Sequence, residues 1–167
     1  MQTGGSSAAS PNTQRHTLDA RPQILTLRGE AALADHVMRA AEAARRHCPG
    51  VRLVCDVDPG IRMHGDPQLV GRLLESLMQR GCEAASQRDP HSDLPPLREV
   101  VVTVVDTAAG VEIEVADSGA HRTTACPADL AALAARLGGS LAIAACPEGG
   151  MAVTLRLPRR RAQGMAA

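Results

Sequence analysis

The 167-residue sequence predicts an α/β two-layer sandwich, a mixed sheet with helices stacked on one face. Three observations carry the prediction. Residues 66–87 hold two interleaved apolar rows at i, i+4 spacing, which marks a helix burying a broad stripe. Several shorter runs alternate with period two, as half-buried strands do. Helical and strand patterns also follow one another in the order β-α-β-α-β-β-α-β-β.

Residues 1–20 are rich in Gly, Ser, Ala, Thr and Gln and read as a flexible leader, ahead of a domain over 21–158. Ile24-Leu25-Thr26-Leu27 reads as an edge strand. From Glu30 to His47, Leu33, Val37, Ala40, Ala41 and Ala44 recur at helical spacing, and Pro49-Gly50 ends the run. Residues 51–57 alternate and close on Asp58-Pro59-Gly60, a strand and turn. Asp66 is then a good N-cap and Pro67 suits the first helical position. The two rows that follow are Leu69, Leu73, Leu77, Gly81 and Val70, Leu74, Met78, Cys82.

Residues 88–98 contain Pro90, Pro95 and Pro96 and are expected to be a loop. Residues 99–105 and 111–115 form a hairpin around Thr107-Ala108-Ala109-Gly110. A helix over about 127–137 stops at Gly138-Gly139. Strands over 140–145 and 152–157 flank a Pro-Glu-Gly-Gly turn. Residues 159–167 form a basic tail beginning Arg159-Arg160-Arg161, a short cationic run whose ordinary setting is solvent.

Composition narrows the function. All 18 basic residues are Arg, balanced by 18 acidic ones, and Phe, Tyr, Trp and Lys are absent. Zero net charge gives no global field for nucleic acid, and no ring is available to stack on a base. No stretch approaches the roughly 20 apolar residues of a transmembrane helix, and no apolar signal core stands near the start. Five widely spaced Cys fit reduced thiols, so a cytoplasmic protein is expected, with no membrane partner. No Cys-x-x-Cys or His-x-x-x-His nominates a metal site, and no Cys has a paired base. Glu112 and Glu114 alternate outward from their strand and need no catalytic role.

Three segments, in order and in register, carry a resemblance. GDPQLVGRLLESLMQRGCEAAS (65–86) resembles the N-box helix of the GHKL, or Bergerat-fold, ATPase domain of sensor histidine kinases. VEIEVADSGA (111–120) resembles that family's strand and first glycine box. LAALAARLGGSLAIAACPEGGMAVTLRLP (130–158) resembles its closing helix, Gly-Gly, hairpin and terminal strand. The resemblance covers about residues 22–158 and implies ATP as ligand, with Mg accompanying it. Implied nucleotide-binding positions are Asp117, whose carboxylate meets the adenine amino group, Gly119, and Ser76 and Arg80, which stand where the family has two Asn. Asp117 has a second reading, a strand-end Asp capping an Asp-Ser-Gly turn.

The departures point toward degeneracy. Arg80 is a pure donor and cannot ligate a cation, though a guanidinium can meet a phosphate directly. His121 replaces the second glycine of the box. Only residues 120–127 occupy the place of the family's long lid and second glycine-rich box, and they contain no glycine. No helical hairpin with a phosphoacceptor His is visible, and no catalytic residue is assigned. The expected function is therefore a stand-alone histidine-kinase-like ATPase domain in two-component-type signalling, degenerate in ATP binding. It would act through a protein partner, a receiver domain or a kinase helical hairpin. The alternatives are a working ATP-binding module, as in a split kinase or an anti-sigma-type Ser/Thr kinase, and a phosphotransferase-like adaptor.

Overall fold

Period-two alternation builds the centre of the molecule. The computed structural model describes residues 31–63, 65–87, 97–120, 126–147 and 149–159. Their elements are β1 (Ala31–Ala32), α1 (Leu33–His47), β2 (Arg52–Asp56), β3 (Arg62–Met63), α2 (Pro67–Ser86), β4 (Glu99–Thr107), β5 (Gly110–Asp117), α3 (Ala128–Arg136), β6 (Ser140–Ala145) and β7 (Met151–Pro158). Five strands form one sheet in the order β2-β4-β5-β7-β6. β2 runs parallel to β4 and the other pairs are antiparallel, so the sheet is mixed.

Register decides which side chains face the helices. Val102 stands opposite Val115, and Val104 opposite Ile113, which in turn faces Leu155. All five are buried, and they form the sheet side of the core. One residue along, the sheet turns a polar face outward. There Arg52 pairs with Glu99 at 3.3 Å and Arg156 with Glu112 at 3.2 Å, and Thr154 donates to Glu114 at 3.5 Å. Such exposed pairs contribute little stability but fix which face is wet. Glu112 and Glu114 thus occupy the outward face that their alternation predicts.

The helices close the other face. On α2, Val70, Leu74, Met78 and Cys82 are buried along one row and Leu73, Leu77 and Gly81 along the other, while Leu69 is half-buried. α1 supplies Leu33, Val37, Ala40, Ala41 and Ala44, and α3 supplies Leu130 and Ala134. The largest fully buried side chains include Leu33, Leu73, Leu74, Met78, Ile113 and Leu155, so aliphatic volume alone fills the core. Asp66 caps α2 by accepting from the backbone N–H of Gln68 at 2.9 Å and of Leu69 at 3.4 Å, with Pro67 in the first turn. α3 ends in a Schellman motif. Gly138 takes φ +76°, its N–H reaches the Ala135 carbonyl, and the Gly139 N–H reaches that of Ala134, both at 2.9 Å.

The antiparallel β1–β3 pair was not legible. Each strand has two residues, too few to show a period. Because Ala31 and Ala32 are extended, α1 begins at Leu33 and not at Glu30. No side chain caps it, and the Leu33 N–H donates instead to the Ile61 carbonyl at 3.2 Å. The strand expected at 24–27 and most of the loop at 88–98 lie outside the described residues. The β4–β5 hairpin is longer than its apolar run, since Thr107 pairs with Gly110 across a two-residue turn.

Two predictions follow from local chemistry. Asp66→Ala, which leaves two N-terminal N–H groups of α2 uncapped, lowers unfolding free energy by about 1 kcal/mol, measured by urea titration and far-UV dichroism. His36 is buried on α1, with Nδ1 3.0 Å from the Arg39 guanidinium. Guanidinium only donates, so Nδ1 accepts and the ring is neutral. Burial lowers its pKa, aided by Arg39 and opposed by Asp35. The unfolded chain therefore binds this proton first. The stabilisation is complete above the unfolded pKa of 6.5 and declines as pH falls through it toward the folded value. His36→Gln should flatten the fall in melting temperature between about pH 7 and pH 5.

Candidate functional site

Sheet parity places Asp117 on the core side. It ends β5 opposite Val100, in line with the buried Val115. Several backbone contacts hold this strand end. The Ser118 N–H donates to the Glu99 carbonyl at 3.1 Å. Its hydroxyl donates to the Leu97 carbonyl at 2.6 Å and accepts from the Glu99 N–H at 2.9 Å. Ser118 thus locks the end of β5 to the start of β4. Asp117 Oδ1 accepts from the Gly119 N–H at 2.8 Å, which is the turn-capping geometry of an Asp-Ser-Gly sequence.

Two glycines let backbones close around it. A Cβ at Gly119 would sit 2.7 Å from the carbonyl carbon and oxygen of Ala84 on α2. Gly150, at φ +84°, leaves no room for a Cβ beside the Asp117 carbonyl. α2 and the β6–β7 turn can therefore both press against the end of β5 only because neither glycine carries a side chain.

Where these elements meet, a cavity of about 250 Å³ opens between α2, α3 and the sheet. Leu77, Val115, Leu130, Ile143 and Val153 give it apolar walls, with Asp117 and Arg80 as its charged groups among the described residues. Arg80 is exposed, with no hydrogen-bond or ion-pair partner among the described residues. The cavity thus brings together two of the four sequence-predicted positions. Gly119 is buried behind Asp117 as a packing residue. Ser76, one turn before Arg80, is half-buried and does not line the cavity. Ser118 and Gly150 escaped sequence reading; the Gly149-Gly150 pair was the available signal but read only as a turn. Cys126, on the cavity wall, had no signal at all.

The lining suits part of a nucleotide. Aliphatic walls and a carboxylate fit a flat base with N–H donors. The volume lies a little below the roughly 300–1,000 Å³ of typical ligand pockets. Among the described residues no three His, Cys, Asp or Glu side chains are grouped to hold a metal ion. Arg80, a donor-only group, is no substitute as a ligand. Among the described residues the lining thus offers apolar walls and a carboxylate, with no cluster of metal-ligating side chains.

Two of the thiols are poorly reactive. The five cysteines are free. Burial pushes the Cys82 thiol up to about 11, with Cys48 and Glu83 adding to it against Arg45, and burial also raises Cys55. Neither is a ready nucleophile. A second cavity, of about 280 Å³, lies at the opposite end of the β4–β5 hairpin, but its Arg159 is already paired to Asp106 at 2.6 Å.

A helical layer over a mixed sheet, with a cavity where the long second helix meets the Asp-ended strand, is the Bergerat-type fold of histidine-kinase ATP-binding domains. The crystal structure of the ATP-binding domain of PrrB from Mycobacterium tuberculosis matches 80% of this chain and 98% of its own, at 22% identity and a TM-score of 0.65. The mycobacterial sensor histidine kinase MprB matches 80% of this chain and 99% of its own, at 19% identity and TM-score 0.62. The cytoplasmic segment of histidine kinase QseC covers 82% of each chain at 18% identity and TM-score 0.56. No family model and no curated protein matches the sequence. No helix among the described residues is long and apolar enough to cross a membrane.

Gly119→Ala should lower stability by about 2 kcal/mol, because the new methyl meets helix backbone and not a flexible side chain. Chemical denaturation followed by far-UV dichroism measures it; an unchanged midpoint would show that α2 does not depend on this approach.

Proposed function

We propose that this chain is a histidine-kinase-like ATPase domain that has lost most of its ATP·Mg binding and acts in signal transduction through protein contacts. A receiver domain or a kinase helical hairpin is the class of partner. The observation that carries this reading is Arg80. Arg80 lines the cavity and is exposed, at the helix position where the family resemblance implies an amide oxygen for metal and phosphate. The small cavity and the eight residues 120–127 in place of a lid support the same conclusion.

The opposing reading, a working ATP-binding module, draws on Asp117 and the apolar walls. Calorimetric titration decides between them. ATP·Mg is expected to bind weakly or not at all. Arg80→Asn alone is not expected to bring hydrolysis, since the lid is also short. Micromolar ATP·Mg affinity that Asp117→Ala abolishes would overturn the degenerate reading.

A further inference from the structure

β6 is an unguarded sheet edge. It pairs with β7 and, among the described residues, with no strand on its other side. The Cys146 N–H donates to the Gly150 carbonyl at 3.0 Å, which fixes the alternation of the β6–β7 ladder. Ser140, Ala142 and Ala144 therefore exchange bonds with β7, while Leu141, Ile143 and Ala145 turn their N–H and carbonyl groups toward the open edge. Natural edges are blunted by charge, Pro or a covering side chain. The opposite edge strand, β2, has two of these guards. Arg52 and Asp56 stand at its ends, and Arg45 donates to the Leu53 carbonyl at 2.9 Å. β6, with the sequence SLAIAA, has neither charge nor Pro. Its inward Leu141 and Ile143 are only half-buried, and its outward Ser140, Ala142 and Ala144 are small and exposed.

We infer that β6 pairs antiparallel with β6 of a second copy of this chain across a two-fold axis, joining the two five-stranded sheets into one. An axis perpendicular to the sheet keeps both helical layers on the same side, so inward residues meet inward residues. The register that bonds all three edge-facing residues places Ile143 on the axis and Leu141 opposite Ala145 of the second copy. Ala142 then stands opposite Ala144 of the second copy, and the reverse, with no like charges to repel. The helical layer is self-complementary too. α3 packs over β6 and exposes Ala131, Ala132 and Ala135, which put no bulk in the way. In the dimer α3 runs antiparallel to its counterpart, so Asp129 in its first turn lies toward Arg136 in the last turn of the other. Matching parity, an uncharged edge and this exchange of opposite charges make a second copy the occupant.

The test is analytical ultracentrifugation of the full chain between about 1 and 100 μM, where a reversible dimer is expected to dominate at the upper end. Ala142→Lys with Ala144→Lys sets like charges opposite one another across the axis and should raise the dimer dissociation constant about tenfold. Ala142→Lys with Ala144→Glu sets opposite charges at the same places and should return it to within about threefold of the unaltered protein. Both changed positions are exposed on the outer face of the sheet, and far-UV dichroism verifies that each variant is folded. A monomer throughout the concentration range, or a dimer that the two Lys leave unchanged, overturns the inference. So does a Lys–Glu variant that dissociates as readily as the Lys–Lys one, because its charges should then attract across the axis.

Discussion

The packing of α2 between α1 and the core face of the sheet is the contact on which the remaining structure depends. Its two buried rows meet α1 on one side and β4 and β5 on the other. That arrangement requires a helix with small residues where it comes closest to the sheet. Gly81 lies 3.5 Å, measured from an added Cβ, from Val100 and Val115, and Ala84 meets Gly119 backbone to backbone. Because α2 sits this near the end of β5, Asp117 and Arg80 line one cavity. Most of its walls come from the same small and aliphatic residues that pack α2 and α3 on the sheet.

Much of this was legible because long elements have a period. The rows of α2, its Asp66-Pro67 start and the Gly138-Gly139 stop are each written in consecutive residues, and the structure reproduces them. The parity that puts Glu112 and Glu114 outside also puts Asp117 inside, since the three are separated by even and odd steps along one strand. The two-residue strands β1 and β3 have no period and so could not be read. The start of α1 moved for the same reason, as a tertiary hydrogen bond to Ile61 and not a side-chain cap sets it.

The candidate site was legible only in part, and the reason is geometric. Asp117 and Arg80 lie 37 positions apart by subtraction of their numbers and share a cavity because β5 lies beneath α2. Only a family resemblance links such positions in a linear chain. The role of Ser118 is a set of bonds to Leu97 and Glu99, and that of Gly150 is a close approach to the Asp117 carbonyl. Both belong to the meeting of strand ends that no local pattern records. Arg159 is similar. Directly after β7, it donates its N–H to the Ala109 carbonyl and its guanidinium to Asp106.

A core closed without a single Phe, Tyr or Trp also gives the molecule an unusual optical character. With no Trp, Tyr or Phe, the polypeptide has no aromatic chromophore in the near ultraviolet and no intrinsic fluorescence. Tertiary packing here leaves no near-ultraviolet dichroism from aromatic side chains, the signal by which loss of fixed packing is ordinarily recognised. Any absorbance band or emission in that region from a mixture therefore belongs to whatever has joined the protein. The chain is a dark background against which a bound heterocycle or an aromatic-containing partner announces itself.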